Sequence, residues 1–135
     1  MAARKTKDQI AAENAAKAAE ARNAKFNELR ARARKAGVKM PEKADPFIIG
    51  AEWGMDPEIE VGMPPLSVQA VLDEYVRAGN PFGIMSTLLS RVDYMRVMQV
   101  LDAEADGDLL LVMLANDIIR HLYGTGIVPS EALGG

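Results

Sequence analysis

Apolar residues recur at helical spacing through the second half of the chain and are nearly absent from its first 37 residues. Val68, Val71, Leu72, Tyr75 and Val76 fall on one face of a predicted helix that follows Pro64 and Pro65, has Ser67 near its start and stops at Gly79. Asn80 and Pro81 provide a cap and a first-turn proline for a second helix, which carries Phe82, Met85, Leu88 and Leu89. Ser90 and Asp93, three residues apart, have the form of a capping box and restart the chain as a third helix. There Tyr94, Val97, Met98 and Leu101 lie at i, i+3, i+4 and i+7. Asp106, Gly107 and Asp108 break that helix and cap a fourth. Its residues Leu109 to Leu114, Ile118, Ile119 and Leu122 are apolar almost all round, which predicts a central place in a bundle. Gly124 closes it, and residues 125–135 read as a loose tail.

Residues 38–65 have a different texture. Prolines at 41, 46, 57, 64 and 65 forbid a long helix. Two short β-like runs, Pro46 to Ile49 and Glu58 to Val61, flank a turn-rich stretch containing Gly54, Asp56 and Pro57. The second run alternates polar and apolar positions. A small hairpin is predicted, packed on the helices because two strands alone are marginal in water.

Residues 1–37 are rich in Ala, Lys, Arg and Glu, the strongest helix formers, and contain no glycine before Gly37. Their large apolar residues before Gly37 are few beyond the initiator: Ile10, Phe26 and Leu29. A helix of alanines and charges has little to bury, so it is predicted to be solvated or completed by a partner. The fold class that emerges is mainly α: a small helical bundle over 66–124, a short β-hairpin within 38–65, and an N-terminal basic helical arm over 1–37.

Charge sharpens this division. Residues 1–43 hold twelve of the 16 basic residues and five of the 19 acids, a balance of +7, whereas residues 44–135 hold four basic residues and 14 acids, a balance of −10. A basic arm (Arg22, Lys25, Arg30, Arg32, Arg34 and Lys35 are its densest part) is joined to an acidic domain. There are no cysteines and one histidine, which excludes a disulfide framework, thiolate metal sites and a multi-histidine metal centre. The longest apolar run, Leu109 to Ala115, is seven residues, far short of the ~20 that a membrane-spanning helix needs. No apolar secretion signal opens the chain, so a cytoplasmic protein is expected.

Candidate chemistry is sparse. His121 stands four residues after Asp117, as a general base steadied by a carboxylate would, but no nucleophile or second base accompanies it. A cation in the last turn of a helix is the plainer reading. Asp102, Glu104, Asp106 and Asp108 alternate like calcium-loop oxygens, with Gly107 at loop position six, but Met113 stands where the glutamate at position twelve belongs. A polar helix-to-helix turn fits better. No phosphate-loop pattern of glycines occurs. Trp53 is either an exposed binding anchor or, more simply, a cap of the hairpin against the bundle. No catalytic residue, cofactor or metal is expected, and the chain reads as an interaction protein rather than an enzyme. Seven methionines follow the initiator (Met40, Met55, Met63, Met85, Met95, Met98 and Met113). Adaptable thioether side chains suit a flexible apolar groove, for which Phe82, Met85, Leu88, Leu89, Met95 and Met113 are the candidate positions.

In this order the elements resemble the tail assembly chaperones of long-tailed bacteriophages, especially those of actinobacterial hosts. The resemblance covers residues 45–124. It rests on Asp45 to Ile49, on Glu58 to Val61 leading into Pro64 and Pro65, on Arg96 to Asp102 with the following Asp106, Gly107 and Asp108, and on Leu114 to Gly124. It implies a non-enzymatic protein of the host cytoplasm, absent from the mature virion, that coats the tape-measure protein and helps recruit the major tail protein. It also implies a longer frameshifted form of the same protein, with which an ending at Leu133, Gly134 and Gly135 is compatible, and self-association as a homo-oligomer is a further expectation. Two alternatives follow from the residues: a nucleic-acid-associated small protein using the basic arm through phosphate contacts, and a virion structural or adaptor protein.

Overall fold

The computed structural model describes residues 4–38, 44–124 and 126–127. The chain divides into two units, Met1–Glu42 and Lys43–Gly135. The first holds a single helix, α1 (Lys7–Lys35). Its start is fixed by a reciprocal cap: the Thr6 hydroxyl accepts from the Gln9 N–H at 3.1 Å, and the Gln9 side chain accepts from the Thr6 N–H at 2.8 Å. Asp8 in the first turn and Arg32, Arg34 and Lys35 in the last complement the helix dipole. The helix closes in a Schellman turn, with Gly37 at φ 73° donating to the Arg34 carbonyl and Val38 to that of Ala33. No residue of α1 is buried.

The second unit opens with β1 (Phe47–Ile49) and β2 (Ile59–Val61), antiparallel, with Phe47 opposite Val61, Ile48 opposite Glu60 and Ile49 opposite Ile59. The alternation read in the second run is realised: Ile59 and Val61 are buried and Glu60 faces outward. A 3-10 turn, Ala51–Trp53, lies in the connection, and Met55 beyond it is buried. Trp53 is half-buried against the core, so it caps the hairpin rather than standing out as an exposed anchor. The Arg96 guanidinium donates to the Pro57 carbonyl and pairs with Asp93 at 3.2 Å, tying the hairpin connection to the bundle.

Four helices follow: α2 (Leu66–Ala78), α3 (Pro81–Leu88), α4 (Arg91–Asp102) and α5 (Gly107–Tyr123). The mainly helical architecture with a two-stranded hairpin and a long N-terminal helix is the predicted one. Asn80 caps α3 by accepting from the Gly83 N–H at 3.1 Å, behind a first-turn proline. Ser90 caps α4 by accepting from the Asp93 N–H at 3.2 Å. The expected capping box is only half present, because the Asp93 carboxylate binds Arg96. At α2 Pro65 is the cap residue, Ser67 lies in the first turn as expected, and Gln69 donates to the Pro64 carbonyl at 2.8 Å. At α5 the Asp106 side chain makes no cap bond, while Asp108 accepts from the Leu109 N–H at 2.9 Å.

The central position expected of the last helix is observed. Helix α5 buries Leu111, Leu114, Ala115, Asn116, Ile118, Ile119 and Leu122 against α3, α4 and β1. Each fully buried aliphatic side chain contributes about 1.5–3 kcal/mol. Ile127, within the stretch expected to be a loose tail, packs on the same core; 125 and 128–135 lie outside the described residues, as do Met40 and Pro41.

Candidate interaction site

Helices α3 and α4 are joined through Leu89 and Ser90, and two open clefts lie along this pair. The first, of about 380 Å³, is lined by Ser86, Leu89, Arg91, Tyr94 and Met95. The second, of about 300 Å³, is lined by Phe82, Met98, Leu101 and Leu111, with Asp102, Glu104 and Asp108 on its acidic side. Phe82 and Ser86 are one helical turn apart on α3, and Met95 and Met98 one turn apart on α4. The clefts are therefore neighbours on the same helix pair. Met95 is 45% exposed and Phe82 53% exposed, and Val92 on α4 is exposed as well.

The six groove positions read from the sequence do not form one surface. Phe82 and Met95 are exposed and line the two clefts. Met85 and Leu89 are core residues, Met85 completely so, and Leu89 reaches only the floor of the first cleft. Leu88 is half-buried against the core, and Met113 is half-buried on α5 without lining either cleft. The physical reason is the shortness of α3: eight residues packed by α2, α4 and α5 bury more than one face, so position 85 cannot remain open. Tyr94 and Arg91 complete the first cleft and were not among the sequence candidates. Tyr94 packs partly buried against the core, as its place on the apolar face of α4 predicts, and its amphipathic ring lines the cleft as well.

A third cleft, of about 290 Å³, lies between α2 and α5 at Leu72, Asp73, Val76, Ile119 and Tyr123. Burial raises the Tyr123 phenol above its ordinary value near 10, and the neighbouring Asp73 carboxylate adds to the rise. Asp73 itself is paired with Arg77 at 2.9 Å.

His121 is a structural clasp. Its Nε2–H donates to the Asp45 carbonyl at 2.6 Å, and its ring stands edge-on to Phe47 with centroids 5.5 Å apart. Asp117 plays no part in this contact. Among the described residues no three His, Asp or Glu side chains converge to hold a metal ion, and the alternating acids at 102–108 are spread along a turn. No described helix is long and apolar enough to cross a membrane.

On α1 the basic residues Arg22, Lys25, Arg30, Arg32, Arg34 and Lys35 are all exposed. Lys25 is 3.6 Å from Glu28, and Arg30 donates to the Asn27 side chain at 2.7 Å. Phe26 and Leu29 are exposed beside them. Comparison of the chain with protein-family models, with characterised proteins and with solved structures gives no match.

Proposed function

We propose that the chain is a non-enzymatic bacteriophage tail assembly chaperone that binds the tape-measure protein and promotes assembly of the major tail protein around it. One observation carries the structural part of this reading: Met95 and its neighbours Tyr94 and Arg91 form an open, mainly apolar cleft beside the α3–α4 junction. An amphipathic client helix needs such a place for its apolar anchors, and thioether and aromatic side chains adapt to varied partners. The sequence resemblance over residues 45–124 supplies the identity of the client. A chaperone that is later displaced needs modest affinity, which a shallow cleft provides. The protein acts, on this reading, in the host cytoplasm and leaves before the virion is complete, and a longer frameshifted form shares its domain.

The test is co-expression with the tape-measure protein, followed by pull-down and a measure of how much of that protein stays soluble. The expected result is capture with improved solubility, lost in Met95→Asp while the variant stays folded. Absence of capture by the native chain, or capture indifferent to Met95→Asp, overturns the reading.

A second reading is favoured by a separate observation, the exposed basic side chains of a helix that buries nothing. A nucleic-acid-associated protein would use it through phosphate contacts, with retention on DNA that falls steeply as salt rises. Finding the protein in purified particles would instead point to a virion structural or adaptor role.

A further inference from the structure

We infer that the acid-sided cleft beside Phe82 receives the basic arm of a second copy of this chain, with Phe26 and Leu29 as its anchors. The two surfaces complement each other in charge and in apolar character. On the arm, Arg22, Phe26, Leu29 and Ala33 succeed one another at four, three and four residues, one stripe along α1. Lys25 and Arg32 border the stripe on one side and Arg30 on the other. Phe26 is 45% and Leu29 43% exposed, the largest apolar side chains of the stripe.

The cleft presents the opposite pattern. Phe82, Met98 and Leu111 give an apolar floor, and Asp102, Glu104 and Asp108 stand along its side, none of them in an ion pair among the described residues. Its volume of about 300 Å³ equals that of roughly ten water molecules, room for a phenyl ring and the end of a leucine side chain. A basic helix laid across this side supplies charge opposite to that of the three carboxylates.

Charge also excludes the simplest competitor, pairing of two arms through their own stripes. That would set Lys25, Arg30 and Arg32 of one copy against the same residues of the other. A reciprocal exchange, each arm seated on the other copy's domain, satisfies both surfaces and closes on itself with two-fold symmetry. The inference does not depend on the chaperone reading, because client capture centres on Met95, one cleft away.

The experiment is sedimentation equilibrium of the full chain at about 50 mM salt, where opposite charges are weakly screened. The native chain is expected to self-associate. Asp102→Lys with Glu104→Lys should weaken that association by about tenfold or more, and so should Phe26→Ser with Leu29→Ser. All four positions are exposed, so the core is untouched. Arg30→Glu with Arg32→Glu should weaken it as well, and combining this change with the two lysines should restore it. Restoration by the reversed charges supports the arm–cleft contact. A monomer at every concentration, association unaffected by the cleft lysines, or failure of the reversed pair to recover it overturns the inference.

Discussion

The ring of Tyr75 on α2 occupies the space that a side chain at Gly83 on α3 would need. Gly83 is buried, and a Cβ built there would collide with the near edge of the ring, at Cδ1, Cγ and Cε1. The close crossing of α2 and α3 therefore depends on the missing side chain at one position and a flat one at the other. Gly83→Ala should cost about 1–3 kcal/mol despite alanine's better helix propensity, because overpacking outweighs it. Urea unfolding checks this, and Tyr75→Ala in the same chain should make the alanine at 83 cheaper than it is alone. Additive losses would show that the two positions do not share the space.

Two methionines of similar sequence character should separate cleanly. Met85→Ala removes a completely buried side chain and should cost about 2–5 kcal/mol. Met95→Ala, at an exposed cleft position, should change stability by no more than about 0.5 kcal/mol. Denaturant midpoints of the two variants are the measurement. Equal losses would place Met95 in the core and remove the basis of the first cleft.

His121→Ala should loosen the hairpin rather than the bundle. The substitution removes a hydrogen bond to Asp45 and an aromatic contact with Phe47, worth together about 1–3 kcal/mol. Hydrogen exchange should quicken at the amides of β1 and β2 before those of α5. Uniform quickening across the unit would mean that the clasp supports the whole core.

Tyr123 gives a pH-dependent signature. Its phenol ionises above the ordinary value near 10 because burial disfavours the phenolate and Asp73 repels it, burial being the larger cause. The unfolded chain ionises first, so the contribution of Tyr123 is intact below pH 10 and stability falls as pH rises beyond it. Absorbance at 295 nm, compared with Tyr123→Phe, isolates this group. Asp73→Asn should lower its midpoint while leaving it above 10.

Element order was legible in the sequence because proline and glycine punctuate it: Pro65, Asn80 with Pro81, Ser90 and Gly107 mark each helix start to within a residue or two. The central role of α5 followed from its apolar circumference. What sequence could not supply was the partner of each face. Periodicity places Phe82 and Met85 together on a short helix, yet the first is at the surface and the second in the core, because α2, α4 and α5 close on α3 from several sides. The link between His121 and Asp45 spans 76 residues and has no local signal. Gly83 lay unremarked inside a helical pattern, since its reason is a ring on another element. On the arm, the expectation that a helix of alanines and charges has little to bury needed no tertiary knowledge, and no residue of α1 is buried.

That arm has a consequence for how the protein melts. Its 29 residues, about 43 Å of helix at 1.5 Å per residue, hold more than a third of the helical residues described and draw no support from a packed interior. Such a helix frays from its ends and loses order gradually with temperature, whereas a packed bundle gives way cooperatively. Far-ultraviolet ellipticity of the isolated chain should thus decline along a long slope before the bundle's sharper step. The slope belongs to the arm, and it should flatten wherever the arm acquires something to lie against.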